Sequence, residues 1–152
     1  MIITWFGHSC FRIESKEGSI LIDPFSKDIG LKPPRIKDDL VLITHNHYDH
    51  NNTDGANPEA MIINGPGEYE KQGVYVRGIL SYHDKAGGKE RGLNTIYLIK
   101  SEDITVCHMG DFGQDKFMEH QLDDIGDADI LMVPVGGKYT VDYKEAVQIV
   151  SQ

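Results

Sequence analysis

The chain has 152 residues, enough for one domain with a core of its own and no need of disulfide staples. At 39% hydrophobic and 26% charged it has the composition of a globular protein, and 24 acidic against 15 basic residues leave a net charge of -9. That balance argues against a phosphate-backbone binder, no apolar run approaches the roughly 20 residues of a bilayer span, and the first residues lack a basic segment followed by an apolar one.

In chain order, Ile2 to Phe6, Cys10 to Glu14 and Ser19 to Ile22 read as short strands separated by the turns Gly7-His8-Ser9 and Lys16-Glu17-Gly18. Asp23-Pro24 ends the third, because proline cannot donate to a ladder. Leu40 to Ile43 is a continuous apolar run, the pattern of a strand buried on both faces, and Met61 to Ile63 repeats it. After the turn Gly65-Pro66-Gly67, Val74 to Leu80 alternates as a strand. Asn94 to Lys100 and Asp103 to His108 then form a hairpin. The spacing of Phe117, Met118, Leu122 and Ile125 predicts a helix over 115–125, stopped by Gly126. Ile130 to Val135 is expected to be a buried strand. Asp142, with Glu145 three residues on, opens a last helix through Ala146, Val147, Ile149 and Val150. The whole of 1–152 reads as a single α/β (α+β) domain. Cys10 and Cys107 make no framework, so reduced thiols and a cytoplasmic location are expected.

The chemistry concentrates in Thr44-His45-Asn46-His47-Tyr48-Asp49-His50, directly after the apolar strand. In extended chain, side chains at i and i+2 point the same way, so His45 and His47 can offer two imidazoles to one cation. Asp49 and His50, where the chain must turn, can reach a second. Imidazole and carboxylate suit zinc, and also manganese or iron.

His45-x-His47-x-Asp49-His50 resembles the defining motif of the metallo-β-lactamase superfamily. Asp23 after Leu21-Ile22, His83 in Ser81-Tyr82-His83-Asp84 and Asp111 after Met109-Gly110 are similar to its other marks. Gly7-His8-Ser9-Cys10, the stretch 65–70 with Glu68, the stretch 87–92 and Pro134-Val135-Gly136-Gly137 resemble a prokaryotic branch of hydrolases. That branch is related to L-ascorbate-6-phosphate lactonase and N-acylphosphatidylethanolamine-hydrolysing phospholipase D.

The resemblance implies an αββα sandwich with the metals at one edge. It places one metal on His45, His47 and His83, and a second on Asp49 and His50, with Asp111 bridging. Asp49 and His50 are then also the catalytic residues. Asp23 is expected to hold a ligand histidine from behind, Glu68 to lie among the substrate loops, and His8 to be either structural or within reach of the site. His108 is expected to pack in its strand, His120 to be a solvated helix residue, and Lys89, Glu90 and Arg91 to form a charged loop. The family adds a histidine near a C-terminal strand, and the chain stops before one, so a C-terminally truncated domain, an open sheet edge and a homo-oligomer are expected.

The implied activity is hydrolysis by a hydroxide generated on one or two metal ions, Zn2+ with Mn2+ or Fe as alternatives. The substrate would be a small anionic ester, lactone or phosphodiester, with neither nucleic acid nor membrane as partner. The competing readings are a catalytically impaired metal-binding remnant or fragment of a longer hydrolase, and a metal-dependent ribonuclease.

Overall fold

Period-two alternation sets the layers of this molecule. A computed structural model describes residues 1–126 and 128–152. Strands β1 (Ile2–Gly7), β2 (Cys10–Glu14), β3 (Ser19–Ile22), β4 (Leu40–Leu42) and β5 (Met61–Ile63) form one sheet in sequence order. Its first three strands are antiparallel, whereas β3, β4 and β5 run parallel. The second sheet has the order β10-β9-β8-β7-β6, built from β6 (Gly67–Lys71), β7 (Val74–Tyr82), β8 (Leu93–Ser101), β9 (Ile104–His108) and β10 (Ile130–Met132). It is antiparallel except for the β9/β10 pair.

Successive side chains of a strand face opposite ways, and the core records it. Ile20, Ile22, Leu40 and Leu42 meet Val74, Val76, Tyr97, Ile99 and Val106 between the sheets. Their neighbours Leu21 and Val41 point outward, where Cys10, Phe25 and Ile36 cover them. Ile96, Leu98 and Cys107 point out from the second sheet and are covered by Phe112, Phe117, Val141, Ala146 and Ile149. The last two lie on α2 (Tyr143–Val150). Every apolar strand residue of β8 after Leu93 is therefore buried on one face or the other. Among the described residues, loop segments rather than an α-helix cover the outer face of the first sheet.

Three elements differ from expectation. No strand is expected between the turn Gly65-Pro66-Gly67 and Val74, yet β6, whose Gly-Glu-Tyr-Glu-Lys sequence lacks β-branched residues, pairs with β7 from Gly67↔Gly78 to Lys71↔Val74. The helix expected over 115–125 is α1 (Glu119–Ile125) alone. Phe117 is drawn into the core against Phe112, with ring centroids 5.0 Å apart, and Met118 takes an extended cap conformation. The expected buried strand over 130–135 is three residues long and partly exposed, because β10 sits at the edge of its sheet.

Candidate metal centre

Four strand ends and one turn deliver the site. β3 leads into Asp23, β4 into Thr44 and His45, β7 into His83, and β9 into Gly110 and Asp111. The β1/β2 turn carries His8 and Ser9. Two close approaches draw these ends together. A Cβ on Gly110 would lie 2.5 Å from the Asn94 side chain and 2.7 Å from Thr44 Cβ. One on Gly113 would lie 2.4 Å from the carbonyl oxygen of His83. Only glycine fits at either position.

His45, His47 and His83 form one group of converging donor atoms, and His8, Asp49 and His50 form another. Asp111 stands between them, with Oδ2 3.3 Å from His83 Nε2 and 3.5 Å from His50 Nε2. The His45 ring lies 4.5 Å from that of His47, 4.7 Å from His83 and 4.1 Å from His50.

A buried hydrogen-bond network fixes which ring nitrogens face the centre. Thr44 donates its backbone N–H to Asp23 Oδ1 at 2.8 Å and its hydroxyl to Asp23 Oδ2 at 2.7 Å. With that proton committed, the Thr44 oxygen can only accept from His45 Nδ1, 2.9 Å away. Asp23 likewise accepts from His50 Nδ1 at 2.9 Å. Both rings therefore carry a proton on Nδ1 and turn Nε2 inward. Those two Nε2 atoms, and Nδ1 of His83, are buried without a hydrogen-bond partner. The unpartnered Nε2 atoms of His45 and His50, on rings whose centroids lie 4.1 Å apart, are costly to bury unless something electron-poor sits beside them. The residues fit a divalent cation, and Asp23 accepts from the outer nitrogen of the His50 ring.

The electrostatics agree. Burial, with help from the nearby His50 charge, lowers the His45 pKa to about 3 and keeps its lone pair available. Burial lowers His47 as well. At His50 burial acts downward first, but the Asp111 and Asp23 carboxylates that flank the ring outweigh it and, with no cation between them, raise the pKa to about 10. This is a position built for positive charge. Asp111 is held far below the usual carboxylate range, because His50 and His83 overcome the opposing effect of burial.

Asp111 is itself positioned by Asn94, whose Oδ1 accepts the Asp111 N–H at 3.0 Å while its amide donates to Ser81 and the Met109 carbonyl. Thr44, quoted above only as the start of the motif segment, and Asn94, given no role from sequence, thus support the site through hydrogen bonds that no metal-ligand spacing singles out. Glu68 lies exposed on the edge strand β6, outside both donor groups. His108 is buried, with Nε2 near the Ser9 carbonyl and Nδ1 accepting the Gly110 N–H, while His120 is exposed on α1. The 84–92 loop is ordered by one carboxylate: Asp84 accepts the N–H groups of Ala86, Gly88, Glu90 and Arg91. Among the described residues, no helix is long and apolar enough to cross a membrane.

Comparison with known proteins fixes the class. The family model of the beta-lactamase superfamily domain matches residues 2–152, and the chain belongs to that superfamily. It is 31% identical to a UPF0173 metal-dependent hydrolase of Pyrococcus horikoshii, over 97% of this chain and 78% of the relative. To the corresponding protein of Thermoplasma acidophilum it is 30% identical, over 97% of this chain and 76% of the relative. A solved structure of a candidate zinc-dependent hydrolase of the metallo-beta-lactamase superfamily from Thermotoga maritima superposes with a TM-score of 0.80. The two are 35% identical over 98% of this chain and 69% of that one. An isothiocyanate hydrolase from Delia radicum gut bacteria shares the fold at 13% identity, with a TM-score of 0.71 over 98% of this chain and 79% of its own.

Proposed function

We propose that this protein is a metal-dependent hydrolase acting on a small anionic ester, lactone or phosphodiester, with zinc as the first candidate cation. His45, His47 and His83 would hold one cation, and Asp49 and His50 a second, with Asp111 between them. The observation that carries this reading is the network in which Asp23 and Thr44 fix the tautomers of His45 and His50 and leave their Nε2 atoms buried and unpartnered. When bound, such cations supply hydroxide at neutral pH and draw negative charge off the oxygen under attack.

The chain's own groups do the rest. The Asp49 carboxylate, about a quarter exposed, is placed to orient a water and to take its proton on an oxygen. Asp23 keeps the His50 ring from rotating, and Thr44 does the same for His45. A cleft of about 380 Å3 opens beside His45 and His47, between Asn64, Leu80 and Leu93. On the neighbouring rim the Arg91 guanidinium lies 4.3 Å from the centre of the Tyr139 ring, and the Lys138 ammonium lies 4.9 Å from the same ring. Arg91, which lines that cleft, and Lys138, which lines the depression beside Asp111, are positive charges that support an anionic substrate.

The test is hydrolysis of bis(p-nitrophenyl) phosphate and of a simple lactone by the full chain, before and after chelation and after zinc is restored. Chelator-sensitive turnover that returns with zinc and is lost in His47→Ala is expected. Turnover indifferent to chelation, or retained in His47→Ala, contradicts the reading.

A further inference from the structure

The turn Gly7-His8-Ser9 stands over the second group of donors, and its hydrogen bonds run opposite to those of His45 and His50. His8 Nδ1 accepts the backbone N–H of Ser9 at 2.9 Å. A nitrogen that accepts carries no proton, so the proton of the His8 ring sits on Nε2. That Nε2 lies 3.1 Å from Asp49 Oδ2 and donates to it. One residue on, the Ser9 hydroxyl donates to Asp111 Oδ1 at 3.2 Å. We propose that His8 and Ser9 are positioning residues: His8 Nε2–H fixes Asp49 and Ser9 Oγ–H fixes Asp111, so this one turn orients both carboxylates of the second cation position without supplying a ligand.

The turn is built to hold that arrangement. His8 has φ 54, in the left-handed region that costs a residue with a side chain about 1 kcal/mol or more. The ladder between β1 and β2 shifts register at the same point, between Trp5 and Gly7. Three contacts compensate. The Trp5 indole N–H donates to the His8 carbonyl at 2.9 Å. His108 Nε2, from β9, lies 3.1 Å from the Ser9 carbonyl. The His8 ring meets that of His50 edge-on, with centroids 4.6 Å apart. Strain held from three sides, next to two carboxylates that each receive one donor from the same turn, is what a positioning device requires. Donors behind a ligand carboxylate typically change metal affinity 10- to 100-fold when removed.

The inference rests on the reading that Asp49, His50 and Asp111 bind a cation, and cobalt(II) titration separates the two claims. The metal-stripped full chain, His47→Ala, His8→Asn, His8→Gln, Ser9→Ala and Ser9→Thr are titrated while the visible ligand-field bands are recorded. Asparagine tolerates the left-handed backbone but is too short to reach Asp49, whereas glutamine keeps a donor at similar reach. The expected result is two equivalents bound by the unmodified chain. The second should bind about 10- to 100-fold more weakly in His8→Asn and Ser9→Ala and recover largely in His8→Gln and Ser9→Thr, with the same spectrum at saturation. Unchanged affinity for the second equivalent in His8→Asn and Ser9→Ala overturns the inference and leaves the metal centre standing. A ligand-field band that shifts at saturation in His8→Asn also overturns it, because the imidazole would then be a ligand. Failure of the unmodified chain to take up cobalt removes the functional reading, and this inference with it.

Discussion

At the scale of single residues, the molecule shows how one acceptor can organise many donors. Asp23, itself at φ 47, collects two protons from Thr44 and one from His50 and so decides which nitrogens face the centre. Asp84 does the same for the loop that follows His83, where four backbone N–H groups converge on its two oxygens. Asp84→Ala leaves those groups without an acceptor. Amide exchange at Ala86, Gly88, Glu90 and Arg91 is then expected to accelerate at least about tenfold, while β8 stays protected. Unaltered protection in the loop would mean that the carboxylate does not order it. The two thiols illustrate the opposite case. Burial pushes Cys10, further raised by Asp23, and Cys107 each up to about 12, so both are packing residues rather than nucleophiles.

At the scale of elements, the patterns that could be read from sequence were those with a strong local cause. The capping box at α2 is one: Asp142 accepts from Lys144 N and Glu145 N, and Glu145 accepts from Asp142 N. Backbone donors at Glu145 and Lys144 hold the Asp142 pKa below its ordinary value. Lys85 first, and then the Asp142 N–H, do the same for Glu145. A depressed folded-state pKa means stability present above the unfolded carboxyl value near 4 and lost as pH falls through the lower folded value. Asp142→Ala is therefore expected to lower the melting temperature at about pH 7, and the gap to the unmodified chain should narrow toward about pH 3. A gap that is constant or widens on acidification contradicts this account of the cap.

Where the local cause was weak, the reading failed. Gly67–Lys71 forms a strand because β7 offers it an edge, not because its residues prefer one. Residues 115–118 carry a helical spacing that the core claim of Phe117 overrides. The histidine and aspartate motif was readable because residues able to hold a metal must be of particular types at particular spacings. Thr44, Asn94 and Ser9 were not, since a hydrogen-bond donor behind a ligand can be almost any polar residue and is recruited only by folding.

At the scale of the whole molecule, the two sheets act as a jig. Tyr97, buried in the second sheet, donates its hydroxyl to the Ile43 carbonyl at the end of β4, and Thr95 N–H bonds the Thr44 carbonyl. Sheet packing is thereby transmitted directly to the first histidine of the motif. An overall charge of -9 does not forbid an anionic substrate, since divalent charge in a partly closed site outweighs the mean field of the surface.

The central claim is that this fold carries donors from four strand ends into a cage for divalent cations. A crystal structure of zinc-loaded protein, with anomalous scattering collected on both sides of the zinc edge, tests it most directly. One peak is expected bounded by His45, His47 and His83 and another bounded by Asp49, His50 and Asp111. Anomalous density elsewhere on the molecule, with the Nε2 atoms of His45 and His50 still unpartnered, would contradict it.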